Sequence, residues 1–235
     1  MADQGTFYGL GVGPGDPELL TLRAHRLIGQ AGLVAYPAAG DGASLARRIA
    51  AGAIVPGTEE LAIAVPMCTE RAPARTAYDE AARTIAGHLA DGRDVVFLCE
   101  GDPFLYGSFM YLFERLSAAH RCEAVPGVTS LTACAAALGR PLAARNDVLT
   151  VIPATLPEER LRAALDATDA AAIVKVGRHF DKVRSALDAT GLAGCAMIVE
   201  AATTEDEKIT ALTDMPEGER PYFSTILVYR GGEAW

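Results

Sequence analysis

The chain has 235 residues, of which 50% are hydrophobic and 22% charged, and its formal net charge is −9. This length and composition suffice for one large or two small domains with a sizeable apolar core. The acidic balance argues against non-specific nucleic-acid binding, and no apolar run reaches the roughly 18–20 residues that a membrane span requires.

Short apolar runs alternate with helical patterns along the whole chain. Nine runs are predicted strands: 6–13, 32–37, 60–66, 94–101, 122–127, 147–153, 171–177, 195–201 and 223–230. Seven stretches between them are predicted helices: 17–31, 42–52, 71–91, 107–119, 128–138, 157–166 and 179–190. Continuous apolar strands separated by helices predict α/β sheets that are covered on both faces.

The clearest break in this pattern is LGRPLAARND at 138–147. Five predicted strands precede it and four follow it, which predicts two α/β lobes with a cleft between them. We place the lobes at 1–121 and 122–235, with the boundary somewhere within 120–147.

The remaining composition predicts no metal site and no export. The five cysteines are odd in number, scattered and without a CxxC pair, so we expect free thiols. The four histidines lack the spacing of zinc-binding motifs. The first residues, MADQGTFYGL, lack the basic and apolar regions of a signal peptide. A soluble, cytoplasmic protein without membrane partners is therefore expected.

The glycine-rich stretch at 9–28, GLGVGPGDPELLTLRAHRLI, has the layout of a phosphate-binding turn but not its residues. The third glycine of a dinucleotide fingerprint is replaced by Pro14 in one frame and by Asp16 in the other, and no Gly-Lys-Ser/Thr is present. Asp16 is predicted to cap a helix that starts at Pro17, followed by Glu18 in the first turn. Because acids at a helix start disfavour phosphate, this turn either approaches a ligand without phosphate or only shapes the backbone.

Two further turns follow predicted strands. CEGDPFLYGS at 99–108 places Glu100 and Asp102 just after the fourth strand, where open α/β sheets bind ligands. VPGVTSLTA at 125–133 places Thr129 and Ser130 at the start of a helix. Taken singly, these are also ordinary surface turns and helix caps. Together they suggest one composite site, rich in acids and hydroxyls and suited to a cationic nucleoside.

GxGPGDPELLTLRA, EGDPFLYGS and VPGVTS, in this order and spacing, resemble the tetrapyrrole methylases, which use S-adenosylmethionine (SAM). The resemblance covers nearly the whole chain. The stretches 99–116 and 138–159 are most similar to the branch that methylates carbon 20 of the macrocycle in cobalamin synthesis. It implies a two-lobed α/β homodimer that binds SAM between the lobes, releases S-adenosylhomocysteine (SAH) and acts on a polycarboxylate tetrapyrrole. The metal-free macrocycle is the expected substrate, and the cobalt-bearing macrocycle is the alternative.

The resemblance also implies cofactor-binding residues, carried over position by position. They are Pro14 in the first turn, Gly101, Asp102, Pro103, Tyr106 and Gly107 in the second, Thr129 and Ser130 in the third, and Val176, Ala202, Phe223, Ser224 and Thr225 further along. Asp102 is the carboxylate expected to contact the cofactor. For Val176 and Ala202, plain core packing is an equal alternative.

The catalytic base of one group of relatives is missing. Uroporphyrinogen-III methyltransferases carry an aspartate just after the second strand, where it is thought to act as a base, whereas 34–40 reads VAYPAAG here. An electron-rich meso carbon can attack without a strong base, but the proton lost afterwards needs an acceptor. Tyr222, beside the expected cofactor wall, is the candidate catalytic residue; a half-buried strand aromatic is the alternative.

The implied substrate and the chain are both negatively charged, so local arginines must bind the substrate carboxylates. Arg140 and Arg145, in the break between the predicted lobes, are the candidates. A nicotinamide-dependent oxidoreductase is an alternative from another class, disfavoured by the failed glycine fingerprint. A non-catalytic binding protein of the same fold is a further alternative.

Overall fold

The computed structural model describes residues 4–40, 42–65 and 71–231, without the side chains of 71–73. Cys68 and the end of the third predicted strand at Pro66 lie outside the described residues. The chain divides into two compact units, one ending at Thr129 and the other beginning at Ser130. This division falls within 120–147, eight residues after 121, because the fifth strand pairs with the first strand and so belongs to the first unit.

The first unit is a parallel sheet with helices on both faces. Its strands are β1 (Phe7–Gly11), β2 (Leu33–Ala38), β3 (Glu59–Ala64), β4 (Val95–Cys99) and β5 (Cys122–Val125), in the order β3-β2-β4-β1-β5. All four neighbouring pairs run parallel. The helices are α1 (Leu22–Gln30), α2 (Leu45–Ile49), α3 (Arg71–Ala90) and α4 (Phe109–Leu116).

Successive side chains of each strand point to opposite faces of this sheet, so the strands contribute to an apolar core on both faces. Val95, Phe97 and Cys99 of β4 are packed in one apolar cluster with α3 and α4. Val96 and Leu98 belong to a second cluster with α1 and α2. A strand buried on both faces cannot alternate with polar residues, which explains why VVFLC is apolar throughout.

The second unit is a mixed sheet. Its strands are β6 (Leu149–Pro153), β7 (Ala170–Val174), β8 (Ala196–Glu200), β9 (Lys208–Ala211) and β10 (Ser224–Tyr229), in the order β6-β7-β10-β8-β9. The β6–β7 pair is parallel and the other pairs are antiparallel. Helices α6 (Glu158–Asp166) and α7 (Phe180–Ala189) cover one face, and α5 (Ser130–Ala137) covers the other.

The predicted fold class is confirmed, and each of the nine predicted strands and seven predicted helices corresponds to an element of the structure. The predicted helix over 17–31 is wrong in its first turn. Pro17–Leu19 form a separate 3-10 turn capped by Asp16, and α1 begins only at Leu22 behind a second cap, Thr21. The sequence prediction also missed β9, a short, largely polar edge strand.

The described cysteines, Cys99, Cys122, Cys134 and Cys195, are free thiols, as expected. Within 4–40, 42–65 and 71–231, no cluster of three or more histidine, cysteine or acidic side chains could hold a metal ion. Over the same residues, no helix is long and apolar enough to cross a membrane.

Candidate active site

Three loops meet at the carboxyl edge of the parallel sheet in the first unit. They are the first loop (12–16) after β1, the second loop (100–107) after β4 and the third loop (126–129) after β5. The chain leaves β2 toward β3 on one side and leaves the neighbouring β4 toward β5 on the other. Connections that diverge from neighbouring strands open a crevice at this edge, where α/β proteins bind ligands.

The loops are joined main chain to main chain. The Val12 amide donates to the Cys99 carbonyl at 2.9 Å, and the Gly101 amide donates to the Gly13 carbonyl at 2.8 Å. A Cβ added at Gly127 would lie 2.1 Å from the Gly101 oxygen and 2.7 Å from the Gly11 Cα. Only glycine permits this approach, so these glycines hold three loops together instead of leaving room for a pyrophosphate.

Asp102 ties the second loop to the third. Its Oδ1 accepts a hydrogen bond from the Phe104 amide at 2.9 Å, and its Oδ2 accepts one from the Gly127 amide at 3.2 Å. An ionised carboxylate has about four acceptor sites. Two backbone bonds therefore fix the orientation of Asp102 and leave acceptor capacity for the hydroxyl or ammonium group of a ligand.

The first loop keeps anions away from the start of α1. Asp16 accepts a hydrogen bond from the Glu18 amide at 2.8 Å, and Thr21 accepts one from the Ala24 amide at 3.1 Å. These side chains occupy amides that would otherwise bind an anion. Pro14 stands partly exposed in this loop. The arrangement therefore disfavours a phosphate group here.

The second loop presents aromatic and aliphatic side chains to solvent. Phe104, Leu105 and Tyr106 are exposed, although the Phe104 ring also packs 5.3 Å from the ring of Phe109. Tyr106 has a φ of 56°, and a Cβ on Gly107 would lie 2.6 Å from the Pro103 oxygen. A bulky residue in the left-handed region is held there by its surroundings, and such positions are concentrated at functional sites.

Glu100 is the ionisable side chain of this edge that sequence reasoning noted without assigning to the site. It lies between buried Cys99 and Gly101, is half-buried, and accepts a hydrogen bond on Oε1 from the Ala46 amide at 3.3 Å. Burial raises the pKa of its carboxyl group. The pKa of the Cys99 thiol is also raised well above its usual value by burial, so that cysteine is not a thiolate nucleophile.

In the second unit, the side chains of Val176 and Ala202 lie in the cores. Contact with a ligand would therefore use their main-chain groups. Lys175 and Ala201, just beyond the carboxyl ends of β7 and β8, have φ values of 60° and 48°, and Thr203 has a φ of 62°. Sequence analysis missed this cluster of left-handed residues, since no glycine marks it.

The predicted residues at the start of β10 differ in accessibility. Tyr222 and Phe223 are 58% and 43% exposed, with their rings 5.0 Å apart in an edge-to-face arrangement. Ser224 and Thr225 are buried, and the Ser224 hydroxyl donates to the Pro221 carbonyl at 2.7 Å. The two aromatic side chains are therefore the accessible part of this predicted wall. Thr129 and Ser130, at the start of α5, are half-buried.

The two predicted substrate-binding arginines are placed differently. Arg140 follows the left-handed Gly139 that ends α5, and its Nη2 donates to the Leu227 carbonyl at 2.9 Å. Burial lowers the pKa of its guanidinium group. Arg145 is exposed and has a φ of 47°. Arg140 thus stabilises the second unit with part of its donor set, whereas Arg145 is accessible to solvent.

Comparison with known proteins gives a consistent picture. A family model of the Tetrapyrrole (Corrin/Porphyrin) Methylases matches residues 6–215. The cobalamin biosynthesis protein CobIJ of Mycobacterium tuberculosis H37Rv is 44% identical over 98% of this chain, and the chain spans only 47% of that relative. A precorrin-2 C(20)-methyltransferase from Sinorhizobium sp is 40% identical over 95% of both chains. The cobalt-precorrin-2 C(20)-methyltransferase of Salmonella typhimurium LT2 is 34% identical over 97% of this chain and 98% of its own.

Solved structures agree with the sequence relatives. The cobalt precorrin-4 methyltransferase structure has a TM-score of 0.75 at 28% identity, covering 95% of this chain and 94% of its own. The uroporphyrin-III C-methyltransferase of Thermus thermophilus, complexed with S-adenosylhomocysteine, has a TM-score of 0.71 at 26% identity, covering 96% and 92%. The match over 6–215 and the near full-length relatives show that this chain belongs to the tetrapyrrole methylases.

Proposed function

We propose that the chain is a SAM-dependent C-methyltransferase that adds a methyl group to carbon 20 of precorrin-2, giving precorrin-3A in aerobic cobalamin synthesis. The near full-length similarity to the Sinorhizobium enzyme supports this substrate. The structural observation that carries the proposal is the junction of three glycine loops beside an acid-capped turn. That junction suits a ligand that is cationic and free of phosphate.

The residues present fit SAM. The cofactor carries a sulfonium charge and ribose hydroxyls but no phosphate, and it supplies an electrophilic methyl group when bound. Asp102 has acceptor capacity left for a hydroxyl or ammonium group, and the occupied amides near Asp16 do not call for an anion. We propose the cofactor residues already named: Pro14, Gly101, Asp102, Pro103, Tyr106, Gly107, Thr129, Ser130, Val176, Ala202, Phe223, Ser224 and Thr225.

In this reaction the residues of the chain act mainly by positioning the reactants. Methyl transfer disperses positive charge as the methyl group leaves, so no strongly charged catalyst is required. The rate gain comes from holding the carbon nucleophile in line with the methyl group and excluding water. Asp102, held by two amides, would orient the cofactor. Exposed Phe104, on the same loop, would help to exclude water.

We propose that Arg145 and Arg140 bind substrate carboxylates. Arg145 is exposed and has its full guanidinium fork for a bidentate pair. Arg140 donates one N–H to Leu227 and would offer its remaining donors. Tyr222 is the candidate proton acceptor that the sequence suggests, and it is tested below against a second candidate.

We propose a homodimer, which the resemblance implies, and a cytoplasmic location, which the composition and sequence pattern predict. The exposed side chains of Phe104, Leu105, Tyr106 and Tyr111 give the first unit an apolar surface that a second copy would cover. Light scattering at several protein concentrations tests the assembly. A mass of 24.6 kDa throughout, that of one chain, would contradict the homodimer.

The second candidate is methylation of the cobalt-bearing macrocycle. The Salmonella relative favours it and also matches nearly full length, but its identity of 34% is lower than the 40% of the Sinorhizobium enzyme. Since cobalt would arrive inside the substrate, the lack of a metal cluster among the described residues does not separate the two.

The test is an anaerobic incubation with methyl-labelled SAM and either precorrin-2 or its cobalt form, followed by mass spectrometry. One methyl group on precorrin-2 and little on the cobalt form is the expected result. A methyl group on the cobalt form alone would assign the second candidate. No methyl group on either, together with tight SAH binding, would reject the substrate and keep the cofactor.

A further inference from the structure

Glu100 is an ionisable group at the carboxyl edge of the first sheet that the proposed chemistry leaves unused. It directly precedes Gly101, whose main chain is hydrogen-bonded to Gly13 of the first loop. Glu100 therefore lies two residues before Asp102, which is proposed to contact the cofactor.

The side chain of Glu100 is directed toward the face of the sheet that carries α2. The preceding residue, Cys99, packs with α3 and α4 on one face, while Oε1 of Glu100 is 3.3 Å from the Ala46 amide of α2 on the other. The β2–β4 register pairs Ala35 with Phe97. This is the last pair of that register, so Glu100 lies beyond the paired part of β4.

The charged groups around Glu100 decide whether its carboxylate is held in an ion pair. Across the described residues, no arginine, lysine or histidine forms a salt bridge with it. The ionisable groups that it influences are Cys99 and, from α3, Tyr78, and burial raises the pKa of both. Its carboxylate interacts with two backbone amides, that of Ala46 and its own, and both oppose the rise in its pKa that burial causes.

We propose that Glu100 is the proton acceptor of the methyl transfer, a role that rests on the proposed function. The position supports it, since Glu100 is the first residue of the second loop, which is proposed to hold the cofactor. It keeps some exposure to solvent, and Oε1 is held by the Ala46 amide of α2.

The step balances without any further reactant. The meso carbon gains a bond to the methyl group while the methyl–sulfur bond breaks, and that electron pair stays on sulfur. The same carbon still carries its hydrogen. Its C–H bond then breaks, the electron pair restores the double bond of the macrocycle, and the proton passes to the Glu100 carboxylate. The neutral acid afterwards returns the proton to water.

A carboxylate suits this role better than a phenol. A tyrosine with an ordinary pKa of about 10 holds its proton at neutral pH and cannot accept a second one. Burial raises the pKa of Glu100, which makes its ionised form a stronger base than an exposed glutamate. General bases work best when their pKa lies near the working pH.

The test compares Glu100→Gln with the matched control Glu114→Gln, an exposed position on α4. Glutamine keeps an oxygen to accept from the Ala46 amide but cannot take up the proton. Each variant is assayed with precorrin-2 and with precorrin-2 deuterated at carbon 20, over a range of pH. SAH affinity is measured by calorimetry. Tyr222→Phe is assayed in parallel.

For Glu100→Gln we expect SAH affinity within about twofold of wild type and a turnover lower by about a hundredfold or more, in the range of general-base contributions. A primary deuterium isotope effect should appear or increase, because proton loss becomes slower than methyl transfer. The fall in rate at low pH that wild type shows should be absent in Glu100→Gln. A residue that only supports α2 would change none of the isotope or pH behaviour.

Two results would overturn the assignment. One is a turnover of Glu100→Gln within about twofold of wild type. The other is a parallel loss of turnover and SAH affinity with no isotope effect, which would make Glu100 a positioning residue. Loss of the pH limb in Tyr222→Phe instead would assign the proton to Tyr222. If wild-type protein methylates neither macrocycle, the proposed function fails and the role of Glu100 falls with it.

Discussion

Gly127 is the residue at which a single added carbon would do the most damage to the proposed site. A Cβ there would lie 2.1 Å from the Gly101 oxygen and 2.7 Å from the Gly11 Cα, both main-chain atoms that cannot rotate away. We expect Gly127→Ala to lower the free energy of unfolding by about 1–3 kcal/mol, the usual cost of overpacking. SAH affinity should fall at least tenfold, because the third loop must move away from the second.

Denaturant unfolding and calorimetry measure both effects. Gly87→Ala is the matched control, because Gly87 lies in α3 with no atom within 4 Å of an added Cβ. Alanine favours a helix over glycine by about 0.8–1 kcal/mol, so the control should be neutral or stabilising with unchanged SAH affinity. If Gly127→Ala binds SAH as tightly as wild type does, the glycine junction is not part of the cofactor site.

The two backbone hydrogen bonds that Asp102 accepts can be tested with a single substitution. Both of its oxygens accept hydrogen bonds from backbone amides, Phe104 on Oδ1 and Gly127 on Oδ2. Asparagine offers one oxygen, so one of these amides would face an NH2 group. We expect Asp102→Asn to cost about 1–3 kcal/mol of stability, the penalty for an unsatisfied polar group, and to weaken SAH binding.

Asp188→Asn, at an exposed position of α7, is the control for removing a negative charge, and its stability should stay within about 0.5 kcal/mol of wild type. Chemical denaturation of the two variants gives the comparison. If Asp102→Asn proves as stable as Asp188→Asn, the carboxylate does not hold the second and third loops together.

At the scale of elements, α1 depends on Thr21 and not on the acid that the sequence suggested. Thr21 accepts a hydrogen bond from the Ala24 amide at 3.1 Å, whereas Asp16 caps only the preceding 3-10 turn. Thr21→Ala should destabilise the protein by about 1 kcal/mol, within the usual range for an N-cap. Thr21→Ser, which keeps the hydroxyl, should restore most of that loss in urea unfolding. Equal destabilisation by alanine and serine would point to lost packing of the methyl group.

The elements that the sequence predicted well are those with strong apolar periodicity. VVFLC, buried on both faces, has no polar residue to obscure the strand. The helix start at Leu22 was missed because DPE and TLR both look like a beginning, and only the three-dimensional turn at Leu20 separates them. The strand β9, KITA, was missed because half of its side chains face solvent and its order comes from pairing with β8.

The candidate site could be predicted from the sequence as a set of loops but not as a set of side-chain roles. GDP and VPG marked the second and third loops, yet no pattern shows that Asp102 accepts a hydrogen bond from the Gly127 amide across 25 positions of the chain. Nor does the sequence show the left-handed backbone at Lys175, Ala201 and Thr203. Such features come from contacts between distant segments and from surroundings that hold a strained backbone.

At the scale of the whole molecule, the choice between a methylase cofactor and a dinucleotide can be tested without any substrate. A ligand that binds only the folded protein stabilises it by about 2.7 kcal/mol at a hundredfold excess over its Kd. For a chain of 235 residues, that is a rise in Tm of roughly 5–10 °C. SAH should produce such a rise, whereas NAD and NADP should leave Tm within about 1 °C.

The physical reason lies in the first loop. A dinucleotide needs helix-start amides for its pyrophosphate, and here the Asp16 and Thr21 side chains already accept from the Glu18 and Ala24 amides. SAH has no phosphate and makes no such demand. Thr21→Ala removes one of these side-chain acceptors and so serves as the matched variant for the same scan. A rise with NAD in wild type, and none with SAH, would reject the methylase cofactor and revive the oxidoreductase alternative.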